Sequence, residues 1–363
     1  MPRPILATID ARAMAHNLQR ARMLAPQARL HAVVKSDGYG HGLAAARTAF
    51  AQADGFALIE LDRAIVLRDM GWRGSILLLE GCFSRLDWQA ASEHRLSVVV
   101  HCEEQLAMLE SLSLPRRVDV HVKLNTGMNR LGFPLHRVRD LLQRLTSHGT
   151  VGEITLMTHF ACADQPDGHL EQLRRFRQAT QGLPFPTSLC NSAACFDWGR
   201  VEDQWIRPGI MLYGATPFGH IRRPAASLGL EPAMTLTTEI IAIQHLSPGD
   251  AVGYGGTYVA SRSERIAVIA AGYGDGYPRH APTGTPVIVG GQRTRLIGRI
   301  SMDKITVDVT DLPLATVGTR VELWGRQLPV DEVAEAAGTI GYELLTAVAP
   351  RVPRHVQGLT GLG

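Results

Sequence analysis

A lysine, Lys35, stands at the end of an apolar run that the sequence predicts as a buried strand at 30–35. Three glycines follow it closely, Gly38, Gly40 and Gly42, and a helical run begins at Leu43. This arrangement predicts an amine at the carboxyl end of a strand, above a turn whose glycines let the backbone approach a ligand closely. Such an amine forms a Schiff base with a carbonyl compound when its neighbours lower its pKa.

Lysine is rare in this chain, because Lys35, Lys123 and Lys304 are the only lysines among 37 Lys and Arg residues. Arginine therefore supplies nearly all of the positive charge. The simple structural alternative for Lys35 is a charge that snorkels to solvent at the end of a strand. Its flanking glycines and its rarity favour the chemical role.

The composition is that of an ordinary globular enzyme, with 45% hydrophobic and 20% charged residues and a net charge of +3 over 363 residues. The scattered arginines form no basic stripe of the kind that nucleic-acid binders carry. Five cysteines without a CxxC pair favour reduced thiols, and no His/Cys cluster has the spacing of metal ligands. We see no signal peptide and no run of transmembrane length, so we expect a cytoplasmic protein without a metal, nucleic-acid or membrane partner.

Apolar strand candidates alternate with amphipathic helical stretches through the first half of the chain. The predicted strands are 30–35, 55–60, 75–80, 96–100, 118–124, 153–159, 187–191 and 204–207. Eight strands that alternate with helices predict an α/β fold with a parallel (β/α)8 barrel of the TIM type.

Polar residues stand at or just after the ends of these predicted strands. They are Lys35, Arg130, His159, Asn191 with Ser192, and Arg207. Active sites of such barrels lie at the carboxyl ends of the strands, and the loops after the seventh and eighth strands commonly bind phosphate. Here those loops contain Ser192, Gly209 and Ile210.

The sequence pattern changes after about residue 232. Long β-branched segments and repeated glycine turns indicate a mostly antiparallel β domain, with helical turns near 330–337 and 342–348. We therefore predict a barrel domain at 1–232 and a β-rich domain at 233–363.

The motif Ala32-Val-Val-Lys35-x-x-x-Tyr39-Gly-His-Gly42 resembles the cofactor-lysine motif of the alanine racemases, which depend on pyridoxal 5'-phosphate. The resemblance extends over nearly the whole chain, in the family's order. The further matching segments begin at Lys123, Met157, Asn191, Arg207, Val252, Ala271, Arg299 and Arg351. Together they resemble the catabolic type of the family, whose members interconvert L- and D-alanine, a precursor of cell-wall peptidoglycan.

The resemblance implies two bases. Lys35 would hold the cofactor and act as the base for D-alanine, and Tyr254 would be the base for L-alanine on the opposite face. Two groups are needed because a single group would have to swing from one face of the carbon atom to the other. A phenol, whose ordinary pKa is about 10, needs neighbouring positive charge before it acts as a base near neutral pH. The resemblance implies a chain Arg207–His159–Tyr254 that would provide it.

The resemblance also implies binding roles. Arg130 and the main chain of Met302 would bind the substrate or the cofactor's phenolic oxygen. Arg207 would lie beside the pyridine nitrogen of the cofactor and keep it unprotonated, which would weaken the pyridine ring as an acceptor of electrons. The simple alternatives are a salt-bridged arginine for Arg207 and core packing for Met302. Other implied cofactor contacts are Tyr39, Ser192, Gly209 and Ile210. The implied entrance residues are Tyr273, Arg299 and Asp303.

Tyr254 would act in the site of the other subunit, so the resemblance implies a homodimer with composite active sites. Lys123 would be carbamylated, or else form a buried Lys–carboxylate pair. The chain departs from the family at Ser36-Asp37-Gly38, at Asn125, and at Pro350, where some members have a tyrosine that contacts phosphate.

Three alternatives stay open at this point. A racemase of broader specificity differs only in pocket packing, and hydrophobic pockets discriminate weakly between small groups. A non-catalytic pyridoxal-phosphate carrier lacks the second domain, which speaks against it. A decarboxylase on a similar fold would be expected to have a carboxylate in place of Arg207.

Overall fold

The computed structural model describes residues 3–219 and 223–359. Eight parallel strands form a closed barrel, which confirms the predicted architecture. The barrel strands are Arg29–Val33, Gly55–Leu58, Ser75–Leu78, Ser97–Val100, Val118–Asn125, Val151–Met157, Thr187–Ser188 and Trp205–Ile206. The ring closes because the eighth strand pairs with the first, with Trp205 opposite Arg29 and Ile206 opposite Leu30. The short strand Phe133–Pro134 pairs with the fifth strand outside the ring.

Helices follow most barrel strands, and their apolar faces explain their positions. In Val138–Ser147 the buried residues Val138, Leu141, Leu142 and Leu145 recur at helical spacing and form one apolar stripe. The longer helices of this half are Ala11–Leu24, Leu61–Asp69, Arg85–Glu93, Glu103–Glu110, Val138–Ser147 and Leu170–Thr180. Short helices at Ser192–Cys195 and Trp198–Val201 follow the seventh strand.

Alternation along each barrel strand sorts its side chains between two faces. In the fifth strand Asp119, His121 and Lys123 share one face, while Val118, Val120 and Val122 share the other. Both His121 and Lys123 are buried, with exposed fractions of 4% and 6%. Charged and titratable groups therefore occupy interior positions of this strand.

A second sheet is built mainly from the later part of the chain and is largely antiparallel. Its strands are Leu6–Asp10, Met234–Leu246, Glu264–Ile269, Pro286–Val289, Gln292–Arg295, Ile305–Asp308, Arg320–Trp324 and Arg354–Gln357. The strand Leu6–Asp10 lies between Met234–Leu246, to which it is antiparallel, and Arg354–Gln357, to which it is parallel. A separate two-stranded ladder joins Ala251–Val252 to Tyr258–Val259. The helices here are Leu43–Ala49, Val330–Ala336 and Gly341–Ala347.

Contacts between residues divide the chain into two compact units. The barrel unit comprises 18–36 and 50–212, and the sheet unit comprises 1–17, 37–49 and 213–363. The predicted division at residue 232 stays a prediction, because these units exchange several segments. In the described ranges, no helix is both long and apolar enough to cross a membrane.

Candidate active site

The backbone after the first barrel strand follows a left-handed path. Ser36, Asp37 and Tyr39 have φ values of 54°, 51° and 51°, and Gly38 between them has 63°. Each non-glycine residue in this region costs roughly 1–2 kcal/mol. Hydrogen bonds stabilise the turn, since the Leu43 amide donates to Asp37 Oδ1 at 3.0 Å and the Gly42 amide donates to the Asp37 carbonyl at 2.8 Å. The sequence predicted a glycine turn but not a left-handed run of non-glycine residues.

Gly40 has a different purpose from the one that the sequence suggested. A Cβ atom at this position would lie 2.1 Å from the carbonyl oxygen of Leu345. Its backbone therefore approaches another segment of the protein closely, and the approach of the glycine turn to a ligand stays a prediction. The Arg354 guanidinium donates to the Gly40 carbonyl at 2.8 Å and helps to hold the turn in place.

The Lys35 side chain begins this turn and is half-buried. Burial, and next the positive charge of Arg130, lower the pKa of its amine, whereas Glu80 and Glu60 oppose the shift. A lowered pKa increases the neutral fraction of an amine, which is the nucleophilic form. The structure thus provides the condition that the sequence argument required of Lys35.

Two further cations lie in the same barrel. Burial, followed by the charges of Arg207 and Arg130, lowers the pKa of Lys123 to about 8. Arg207 is buried and donates hydrogen bonds to the Ser188 hydroxyl at 2.5 Å and to the Thr158 carbonyl at 2.8 Å. Within the described residues it forms no ion pair, and burial lowers its pKa too. The predicted alternative of a salt-bridged arginine therefore does not describe Arg207.

His159 follows the sixth strand and is affected by these same charges. Burial lowers the pKa of its imidazole well below the ordinary value, and Arg207 and Lys123 add to the shift. The ring is therefore neutral near pH 7.

The phosphate-loop residues from the seventh and eighth strands meet as the sequence spacing suggested. The Ser192 hydroxyl accepts hydrogen bonds from the amides of Gly209 at 2.8 Å and Met211 at 3.4 Å. Ser192 follows Asn191, whose side chain caps the short helix by accepting from the Ala194 amide. Ile210 is fully buried beside this contact. The serine and the two amides form a compact polar cluster at the carboxyl end of the barrel.

Asp203 supports this cluster, and the sequence analysis missed it. Its carboxylate accepts from the amides of Leu189 at 2.5 Å and Cys190 at 3.0 Å, directly before Asn191 and Ser192. Asp203 also opposes the lowering of the Arg207 pKa more strongly than any other group. A buried Asp in the loop before the eighth strand was the available signal, but its partners come from the preceding strand and were not visible in the sequence.

The remaining predicted site residues lie in the sheet unit. Tyr39 is buried and stacks on Tyr213, with ring centroids 4.7 Å apart. Tyr254, Met302 and Tyr273 are exposed by 72%, 53% and 37%.

Main-chain contacts bring several of these exposed residues together. The Tyr273 amide donates to the Ser301 carbonyl at 3.1 Å, and the Gly274 amide donates to the Met302 carbonyl at 2.8 Å. Asp303 pairs with Arg351 at 2.8 Å. The exposed Arg299 lies against the turn of Tyr254, since a Cβ atom on Gly255 would be 3.0 Å from its guanidinium.

The family models for the N-terminal and C-terminal domains of alanine racemase match residues 9–217 and 233–356. The chain belongs to the alanine racemase family. It is 53% identical over 356 residues to the alanine racemase of Janthinobacterium sp. (strain Marseille), covering 97% of this chain and 98% of the relative. It is 51% identical over 353 residues to the catabolic alanine racemase of Salmonella typhimurium, covering 97% and 99%.

Solved alanine racemase structures are similar to this one over nearly their whole length. The biosynthetic alanine racemase from Pseudomonas aeruginosa superposes with a TM-score of 0.95 at 46% identity, covering 98% of this chain and all of the other. The enzyme from Acinetobacter baumannii gives 0.91 at 37% identity, covering 98% and 100%. Relatives of both the catabolic and the biosynthetic type therefore share the fold and much of the sequence.

Proposed function

We propose that this chain interconverts L- and D-alanine with pyridoxal 5'-phosphate as cofactor, in line with its family. The observation that supports this most directly is the group of cations at the carboxyl end of the barrel. Burial lowers the pKa values of Lys35, Lys123 and Arg207, and the charges of neighbouring cations, Arg130 among them, lower those of the two lysines further. An anionic aldehyde fits such a group, because it supplies negative charge and a carbonyl for the lysine amine.

The residues of the chain match the parts of this cofactor. Lys35 would bind its aldehyde carbon, while Tyr39, Ser192, Gly209 and Ile210 would bind its phosphate. Arg207 would face the pyridine nitrogen, and its guanidinium would leave that nitrogen unprotonated. When bound, the cofactor supplies an acceptor for the electrons released when the α-proton of alanine is removed.

The proton transfers belong to Lys35 and Tyr254. The Lys35 amine would take or return the α-proton on the D side, and the Tyr254 oxygen would do so on the L side. His159, kept neutral by burial, would accept a hydrogen bond from the Arg207 guanidinium at one ring nitrogen. Its other ring nitrogen would donate to the Tyr254 oxygen and so stabilise the phenolate. Arg130 and the main chain of Met302 would orient the substrate carboxylate.

We infer a homodimer in which residues 233–363 complete the partner's active site. The high exposure of Tyr254 and Met302 in the single chain supports this assembly, since both are residues to which the proposal gives a role beside substrate. Tyr273, Arg299 and Asp303 would then form the entrance. The domain boundary at 232 and a cytoplasmic location, where D-alanine is made or consumed, belong to the same proposal.

The proposal is tested by incubating the cofactor-loaded protein with L-alanine in deuterated water and following α-deuterium and chirality together. We expect deuterium to enter as the two enantiomers equalise. Tyr254→Phe should slow the reaction from L-alanine by about 10²–10⁴-fold. Tyr258→Phe is the matched control, because it removes a nearby hydroxyl that donates a hydrogen bond to Glu264 and to no other residue in the described ranges. Exchange with retained chirality in the unaltered protein would contradict the role of Tyr254, and no exchange would contradict the proposed activity.

A further inference from the structure

The barrel has a second polar cavity, at the amino-terminal mouth. Its volume is about 330 Å³. It is lined by residues at the beginnings of barrel strands, including Arg29, Ser97, Asp119, His121, Glu153 and Thr155. The proposed cofactor site lies at the opposite ends of the same strands. The cavity therefore does not belong to that site.

The walls of this cavity are polar where a barrel interior is ordinarily filled with bulky apolar side chains. His121, Thr155 and Ser97 are exposed by only 4%, 5% and 6%. The Nδ1 atom of His121 is buried and has no hydrogen-bond partner. Burial, with the charges of Arg207 and Arg29, lowers the pKa of His121 to about 3, so its imidazole is neutral near pH 7. The walls therefore offer uncharged polar side chains below the charged residues of the rim.

The charges at the rim are separated in space. Arg29 begins the first strand and its guanidinium lies 4.3 Å from the ring centre of Trp205. Asp119 and Glu153 belong to the fifth and sixth strands, on the far side of an eight-stranded ring. Asp119 Oδ1 accepts from the Glu153 amide at 2.8 Å, which fixes the two acidic residues side by side. Across the described ranges, none of these three side chains forms an ion pair.

We propose that this amino-terminal cavity binds a small zwitterionic α-amino acid as an effector. Its carboxylate would pair with Arg29 and its ammonium group with Asp119 and Glu153, while His121, Ser97 and Thr155 would hydrogen-bond its polar atoms. A third carboxylate in the lining, that of Asp54, already pairs with Arg22 at 2.8 Å. A simple anion would face the carboxylates of Asp119 and Glu153, and a simple cation would face Arg29, so a dipolar ligand satisfies both sides. The volume, about ten times that of a water molecule in the liquid, is large enough to hold a small amino acid.

The test uses the cofactor-loaded protein labelled with 5-fluorotryptophan and titrated with glycine, followed by fluorine NMR. Trp205 lines the cavity and is the local reporter, and Trp205→Phe identifies its signal. We expect a saturable shift of the Trp205 signal that persists after the cofactor is fixed to the protein by borohydride, a treatment that separates this site from the catalytic one. An unmoved Trp205 signal, or a shift lost on borohydride treatment, would overturn the proposal.

Variants and ligand analogues sharpen the test. Glu153→Gln and Thr155→Val should each weaken the glycine titration by about tenfold, whereas the exposed Glu93→Gln should leave it unchanged. Equal titrations for all three variants would contradict the assignment of the site. Ethylammonium and acetate should each bind more weakly than glycine, and equal binding of either one would refute a zwitterionic ligand.

Discussion

The two mouths of the barrel are both polar, but their charges are arranged differently. At the carboxyl end, Lys35, Lys123 and Arg207 are all cationic or basic, and burial lowers the pKa of each. At the amino end, Arg29 faces Asp119 and Glu153 across the ring, while a third carboxylate, that of Asp54, pairs with Arg22. An excess of one sign favours a ligand with the opposite net charge, whereas separated opposite signs favour a dipolar one. The same strands would therefore provide the two proposed sites, each for ligands of a different chemical class.

The backbone differs between the two mouths as well. The carboxyl end begins with the left-handed run 36–40, and the amino ends of the strands begin in ordinary extended conformation. Strained backbone concentrates at functional sites, where the surrounding structure fixes it. This criterion supports the proposal that the carboxyl end is the catalytic mouth.

The largest effect should come from Lys35→Ala. Without the amine, both the covalent hold on the cofactor and one base are lost, so kcat/KM should fall by about 10²–10⁴-fold or more. The visible absorbance of the bound cofactor should change with it. The exposed Lys304→Ala is the matched control and should keep both properties. Full activity of Lys35→Ala would contradict the proposal that the carboxyl mouth of the barrel is the catalytic one.

Replacing Asp203 should lower the stability of the fold, although the proposed reaction gives this residue no direct role. Asp203→Ala leaves the buried amides of Leu189 and Cys190 without an acceptor, which should lower the free energy of unfolding by about 2–5 kcal/mol. Asp203→Asn keeps an acceptor oxygen, so it should lower the free energy of unfolding by less. Urea unfolding measures both, with the exposed Asp167→Asn as control. Equal losses for Ala and Asn would assign the effect to charge rather than to the two hydrogen bonds.

Lys123 should react with carbon dioxide more readily than an ordinary lysine. A pKa of about 8 leaves about a tenth of its amines neutral at pH 7, far more than at the ordinary pKa of about 10.4. The carbamate should therefore accumulate with bicarbonate as the pH rises from about 6 to about 8. Intact mass under gentle conditions should show the gain of one carbon dioxide, which Lys123→Arg should abolish. No gain at any pH would leave Lys123 as a plain buried amine.

The smallest expected effect comes from relieving the backbone strain at Ser36. Ser36→Gly should raise the free energy of unfolding by at most about 1 kcal/mol, because glycine adopts positive φ without a steric cost. Ser147→Gly, at the end of the helix Val138–Ser147, should instead lower it by about 0.5–1 kcal/mol. Thermal unfolding of the two variants compares them directly. A lower stability for Ser36→Gly would mean that this turn is not strained.

The sequence predicted the barrel well because apolar strands and amphipathic helices repeat at regular spacing. It also predicted which residues follow the strands, and in the structure Ser192 and the Gly209 amide are in contact as that order suggested. It did not predict the left-handed run, because Ser36 and Asp37 are not residues that ordinarily signal positive φ in succession. It missed Asp203 and the cavity around His121, because both depend on side chains that only strand pairing brings together.

The pairing of Leu6–Asp10 with Arg354–Gln357 has a consequence for how the protein is made. Leu6–Asp10 is made early but occupies an inner position of the second sheet, and both of its neighbours come from the second half of the chain. During synthesis its hydrogen-bonding edges stay unpaired until those later strands have been made, a period in which free strand edges invite association with other chains.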